Sequence, residues 1–142
     1  MEPAKKKSIT VQVVVNAPRE VVWERWTTPK DIVHWNNASD DWHTPSAKND
    51  LRAGGQFLYR MESRDGKFGF DFGGVYDHVK QYESIRYTME DGRKVEILFA
   101  SMRTGTSIVE TFEAESQNPP ELQRDGWQAI LNNFKKHVEG KS

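Results

Sequence analysis

Trp127, Ile130, Leu131, Phe134 and Val138 recur at i, i+3, i+4, i+7 and i+11, which draws one apolar stripe along a helix running from roughly Pro119 to Glu139. Such a stripe needs a surface to lie on. Asn118-Pro119-Pro120-Glu121 resembles a capping box with proline at N1, and Gly140 stands at a C′ position. Lys135, Lys136 and His137 suit the negative end of the helix.

The surface comes from upstream, where the periodicity drops to two. Ile9, Val11, Val13 and Val15 alternate with polar residues in a first strand. Ala17-Pro18-Arg19-Glu20 then opens a short helix carrying Val22, Trp23 and Trp26, and Thr28-Pro29-Lys30-Asp31 restarts it with Ile32 and Trp35 one turn apart. The stretch from Asn36 to Pro45 has no period and reads as a loop bearing Trp42 and His43. Strands resume with Phe57, Tyr59 and Met61 on one face. Phe68, Phe70 and Phe72 follow on one face up to a bend at Gly73-Gly74. Ile85, Tyr87 and Met89 run to the hairpin pair Asp91-Gly92, Val95, Ile97 and Phe99 run back, and Ile108, Glu110 and Phe112 follow a turn near Gly105. The order is β, αα, several β, α.

The composition narrows the function classes. In 142 residues there are five Trp and seven Phe, so flat rings supply much of the core. A formal net charge of −1 provides no basic field for nucleic acid. No apolar run approaches the roughly 18 residues of a membrane span, and the Lys5-Lys6-Lys7 cluster has no signal core behind it. The expectation is a cytoplasmic protein with a flexible basic start, residues 1–7, and one domain over 8–140. Cysteine is absent, which removes disulfides, thiolate catalysis and Cys-based metal sites. The Gly54-Gly55 and Gly73-Gly74 pairs lack the lysine or spacing of phosphate loops, and no Gly-x-Ser-x-Gly elbow occurs.

Asn16-Ala17-Pro18-Arg19-Glu20-Val21-Val22-Trp23-Glu24-Arg25-Trp26-Thr27 with Pro29 and Trp35 resembles the opening signature of the SRPBCC, or START-like, superfamily. More closely it resembles the C-terminal domain family of the activator of the ninety-kilodalton heat-shock-protein ATPase. Asp50 to Phe57, Gly74-Val75-Tyr76 and Gly126 to Phe134 extend the likeness over essentially the whole chain. The resemblance implies the helix-grip, Bet v 1-like fold: α+β, a curved antiparallel sheet of six or seven strands around a long C-terminal helix, with two short helices after the first strand. Members include lipid and hormone binders, polyketide cyclases, aromatases and chaperone regulators, so fold alone does not fix function. Full activators carry a separate N-terminal chaperone-binding domain, which these residues do not include.

A deep cavity under the C-terminal helix follows from that likeness. The residues placed around it are Trp26, Trp35, Trp42, Phe57, Tyr59, Phe70, Phe72, Tyr76, Glu110, Trp127, Ile130, Leu131 and Phe134. Tyr59, Tyr76 and Tyr87 offer hydroxyls. Glu110 shares its face with Ile108 and Phe112, so an inward face turns its carboxyl into the cavity as the best candidate for proton transfer, unless Arg60, Arg86 or Arg103 pairs with it. His34, Asp40, Asp41 and His43 lack the spacing of a zinc motif, so no metal or cofactor is expected. These residues favour binding of a hydrophobic, aromatic or lipid-like small molecule over catalysis. A cyclase-like enzyme and a chaperone ATPase regulator acting by protein contact stay open, as does a homodimer.

Overall fold

The structure, a computed structural model, describes residues 8–140; the Lys5-Lys6-Lys7 cluster lies outside them. Its elements are β1 (Ser8–Val15), α1 (Arg19–Thr27), α2 (Pro29–Trp35), β2 (Trp42–Asn49), β3 (Gln56–Ser63), β4 (Gly69–Lys80), β5 (Ser84–Met89), β6 (Lys94–Met102), β7 (Gly105–Glu113) and α3 (Pro120–Glu139). The strands form one antiparallel sheet of seven, in the order β1-β7-β6-β5-β4-β3-β2. The chain therefore meanders from β2 to β7 and closes by laying β7 against β1, the first strand. The helix pair fills the connection between the two edges.

Alternation decides which face is inner. Ile9, Val11 and Val15 of β1, Val95, Ile97 and Phe99 of β6, and Ile108 and Phe112 of β7 are buried, as are Ile85, Tyr87 and Met89 of β5. The 20 residues of α3 span about 30 Å at ~1.5 Å per residue. The helix lies along β1 and against α1 and α2, with Leu131 and Phe134 fully buried. Phe134 meets the rings of Trp26 at 4.9 Å and Trp35 at 5.0 Å, while Trp127 stacks on Phe112 at 4.0 Å with 8° between the planes.

Side chains of α3 also occupy the free edge of β1. Gln128 donates through Nε2 to the Gln12 carbonyl at 3.0 Å and accepts the Gln12 amide at 3.4 Å. Lys135 donates to the Val14 carbonyl, and the Asn16 amide donates to Glu139 at 2.9 Å. These even-numbered residues present the outward backbone groups that an edge strand leaves unpaired.

Several local expectations are corrected. Residues from Trp42 onward form β2 rather than a loop to Pro45; Pro45 is tolerated because β2 is an edge and its register shifts between His43 and Ser46. Gly73 and Gly74 stay within β4, and the irregularity falls instead between Tyr76 and His78. Phe68 precedes β4 and is 67% exposed. The Asn118 capping box is not made: Pro119 is the N-cap, and the Asn118 amide and side chain donate to Glu115 instead. Thr28 precedes α2, but its hydroxyl donates to the Glu24 carbonyl and so closes α1. Gly140 terminates α3 at φ 73°.

Gly74 is needed for space. A Cβ there would stand 2.5 Å from the Thr88 carbonyl oxygen and 3.1 Å from the Phe57 ring, which lies across the glycine. Gly74→Ala is therefore expected to destabilise the fold by about 1–3 kcal/mol and to lower Tm by roughly 5–10 °C, as read by calorimetry.

Candidate functional site

Because α3 is fixed to the β1 side, the curving sheet departs from it over β3 to β5, and a cavity of about 280 Å³ lies in the gap. Its walls come from the inner positions of successive strands: Phe57, Tyr59 and Met61 of β3, Phe70, Phe72 and Tyr76 of β4, Ile85, Tyr87 and Met89 of β5, Ile97 of β6 and Glu110 of β7. The helices add Trp26, Trp35, Trp127, Ile130 and Gln123, and the connections add Asn36, Arg93 and Glu115. Phe70 is 46% exposed and stands at the mouth.

Three residues placed at the cavity by sequence do not line it. Trp42 packs its ring on Phe70 at 5.8 Å from the edge strand β2. Phe134 is turned toward Trp26 and Trp35, and Leu131, one turn from Trp127, is sealed in the core. Conversely, Met61, Met89, Ile85 and Ile97 line it without having been singled out, although the alternation placed each on the inner face. Gln123 was also missed, and it sits one turn before Trp127 on the same stripe. Its amide accepts from the Glu115 backbone at 2.9 Å and donates to the Glu115 and Asn118 carbonyls at 3.1 and 2.8 Å, closing the connection into α3.

Glu110 sits at the centre of β7, opposite Val11 on β1 and Ile97 on β6. It is buried, and among the described residues no hydrogen bond or ion pair reaches its carboxyl. None of the expected arginine partners reaches it: Arg60 pairs with Glu62 and Asp71, and Arg86 with Glu96, on the outer face, while Arg103 lies in the exposed β6–β7 turn. Burial in an apolar setting pushes its pKa from 4.5 up to about 8. Desolvation, with the Glu110 charge adding to it, also raises the Tyr59 and Tyr87 phenols well above 10, so both stay neutral. Tyr59 faces the Tyr76 hydroxyl, which donates to Asn49 at 2.5 Å, and Asn49 donates to the Thr27 carbonyl at 2.7 Å. This chain ties the sheet to the helix pair. Arg93, at the rim, donates to Asp91 at 2.8 Å and to the Glu113 carbonyl at 3.4 Å.

The histidines of the Trp35–Trp42 region part company. His34 stacks on His137 with centroids 5.9 Å apart, whereas His43 lies 4.0 Å from Glu62 on β3. Among the described residues no group of three or more His, Asp or Glu side chains is placed to hold a metal ion. No described helix is long and apolar enough to cross a membrane.

A curved antiparallel sheet gripping a long C-terminal helix, with an aromatic cavity between them, defines the helix-grip class of the SRPBCC superfamily. Residues 16–139 match the family described as Activator of Hsp90 ATPase homolog 1-like protein, and the chain belongs to that family. It is similar to the AHSA1-like protein from Aeromonas hydrophila, at 42% identity and a TM-score of 0.89 over 94% of this chain and 93% of that one. A Cytophaga hutchinsonii protein is 50% identical, with a TM-score of 0.79 over 95% of this chain and 92% of that one. A Chromobacterium violaceum protein is 25% identical, with a TM-score of 0.82 over 94% and 98%. Among curated proteins nothing matches the chain.

The raised pKa of Glu110 makes stability depend on pH. The folded state holds this proton more tightly than the unfolded chain, so stability is full below about pH 4.5 and falls as pH rises toward about 8. Glu110→Gln removes the titration. Relative to wild type, it is expected to gain on the order of 3–5 kcal/mol between pH 5 and pH 9, at ~1.4 kcal/mol per pKa unit, as measured by urea unfolding across that range.

Proposed function

We propose that this domain binds a small molecule with an apolar, ring-sized body in the cavity beneath α3, using Glu110 as its polar contact. The observation that carries this reading is the space itself. About 280 Å³ bounded by rings stands beside a carboxyl with no internal partner, near the lower end of the ~300–1,000 Å³ usual for ligand sites. The family fold supports a ligand-binding domain and leaves the ligand open.

A second reading is favoured by Glu110 itself. An acid with a pKa of about 8, next to neutral phenols, is poised to exchange a proton with a bound ligand near neutral pH. Wild-type-dependent deuterium exchange at a ligand C–H, lost in Glu110→Gln, would separate proton transfer from plain binding.

The binding reading is tested by thermal shift against one- and two-ring aromatic compounds. A ligand at ~100 times its Kd should stabilise the fold by about 2.7 kcal/mol. Ile130→Trp, which fills the cavity from α3, should abolish the shift, while Leu98→Ala on the outer face should preserve it. No shift with any compound, or an undiminished shift in Ile130→Trp, would overturn it.

A further inference from the structure

We infer that the ligand of this cavity is an organic cation, a ring-bearing primary ammonium whose N–H groups reach Glu110 and whose body lies among Tyr59, Phe72, Tyr87 and Trp127. This rests on the reading that the cavity binds a small molecule.

The first argument is a census of charge. Buried charges in proteins are ordinarily paired. Asp31 has Arg25 at 3.4 Å and His137 at 2.9 Å, Arg93 has Asp91, and Glu115 accepts from the Gln117 and Asn118 amides and the Asn118 side chain. Glu110 alone among the cavity's charged groups has no partner within the described residues. Within the described residues nothing balances the charge of an ionised Glu110, so a counter-charge would be the ligand's.

The second argument concerns hydrogen-bond donors. The polar groups facing the cavity are Tyr59 from β3, Tyr76 from β4, Tyr87 from β5, Gln123 and the Trp127 indole from α3, the Trp26 and Trp35 indoles from α1 and α2, and Asn36, Arg93 and Glu115 from the connections; β6 contributes Ile97. The Tyr76 hydroxyl is committed to Asn49, the Gln123 amide to the Glu115–Asn118 connection, the Trp35 indole to the Arg25 carbonyl, and Arg93 to Asp91 and Glu113. Among the described residues the Tyr87 hydroxyl and the Trp26 and Trp127 indole N–H groups carry no such commitment, but none of them is charged, and the Glu110 lone pairs accept from no protein group. An ammonium brings both donors for those lone pairs and the charge that balances an ionised carboxyl, whereas a carboxylate ligand would set like charges together.

Ring faces supply the third argument. The negative faces of Tyr, Trp and Phe attract ammonium groups, most strongly where water is excluded. Size then limits the body: about 280 Å³ equals roughly nine water volumes at ~30 Å³ each, enough for one ring and a short chain but not for a diacyl lipid.

Binding also implies a proton count. At pH 7 the carboxyl is mostly protonated, with its pKa at about 8, so seating an ammonium beside it expels about one proton. Isothermal titration calorimetry with phenethylammonium, 2-phenylethanol and 3-phenylpropionate at pH 7 reads both affinity and protons. The ammonium should bind at least about tenfold more tightly than the alcohol, with release of about one proton that diminishes by pH 9, and the propionate should not bind. Glu110→Gln should keep the alcohol and lose both the preference and the proton release. Equal affinity for alcohol and ammonium, ammonium binding without proton release, or a preference that survives in Glu110→Gln overturns the inference and leaves the cavity reading standing. So does binding of neutral aromatics when none of the three probes binds. Failure of every aromatic compound overturns both.

Discussion

The contact on which the rest of the architecture depends is the stack of Trp127 on Phe112, ring on ring at 4.0 Å and nearly parallel. Phe112 belongs to β7, which lies between β1 and β6, so the stack seats the first half of α3 over one side of the sheet. Further along, Gln128, Lys135 and Glu139 bind the outward backbone groups of β1, and Phe134 is wedged against Trp26 and Trp35. A straight helix held in this way cannot follow a sheet that twists away from it. Over β3 to β5 the separation is spanned only by large side chains, and Phe72 meets Trp127 edge-on at 6.2 Å. Rigid rings with two torsions do not flow into the remaining space, and Met61 and Met89 beside them leave it open. The cavity is thus a consequence of off-centre anchoring combined with aromatic walls.

The same geometry explains which features were legible in the sequence. Strands β1, β5, β6 and β7 pack one face inward and one outward, so their alternation survives in the residues, and the stripe of α3 is visible because one face of it is buried along its length. Edge strand β2 has no such signal: its residues are mostly half-buried or exposed, and Pro45 sits where a bulge suspends the pairing. The phenylalanine run in β4 was misleading for a related reason. Phe68 precedes β4 and Phe70 stands at the cavity mouth, both exposed, so their spacing describes the pleat and not burial.

At the site, alternation correctly placed the rings of β3 to β5 and the carboxyl of Glu110 on the inner face. It also contained the answer about its arginine partners. Arg60 and Arg86 directly follow or precede Tyr59 and Tyr87, so an inward tyrosine forces each arginine outward, where Glu62, Asp71 and Glu96 receive them. Helix residues were harder to assign, because one continuous stripe runs over both the cavity and the packed core. Gln123, Trp127 and Ile130 lie in the N-terminal half of the stripe, over the cavity, and Leu131 and Phe134 lie further along it, Phe134 against Trp26 and Trp35 of the helix pair. Which part of the stripe lies over open space depends on where the helix is anchored, and that is decided by Trp127–Phe112 and by the β1 contacts, all distant in sequence.

Glu110 occupies the least yielding position in this arrangement. Strands flank it on both sides, paired in register at Val11 and Ile97, so the backbone cannot shift to carry the carboxyl toward water. Two solutions remain for a buried acid so placed: it keeps its proton, or it acquires a cation. The two exclude one another, since a protonated carboxyl gives an ammonium no charge to pair with and a seated ammonium displaces the proton. Empty-state stability and the affinity proposed for a cation therefore lie on the same pH axis with opposite slopes, the first falling and the second rising as the solution passes from pH 5 toward pH 8. A glutamine would remove the instability and, with it, the basis of the proposed cation recognition, because both arise from a single unpaired carboxyl facing the cavity.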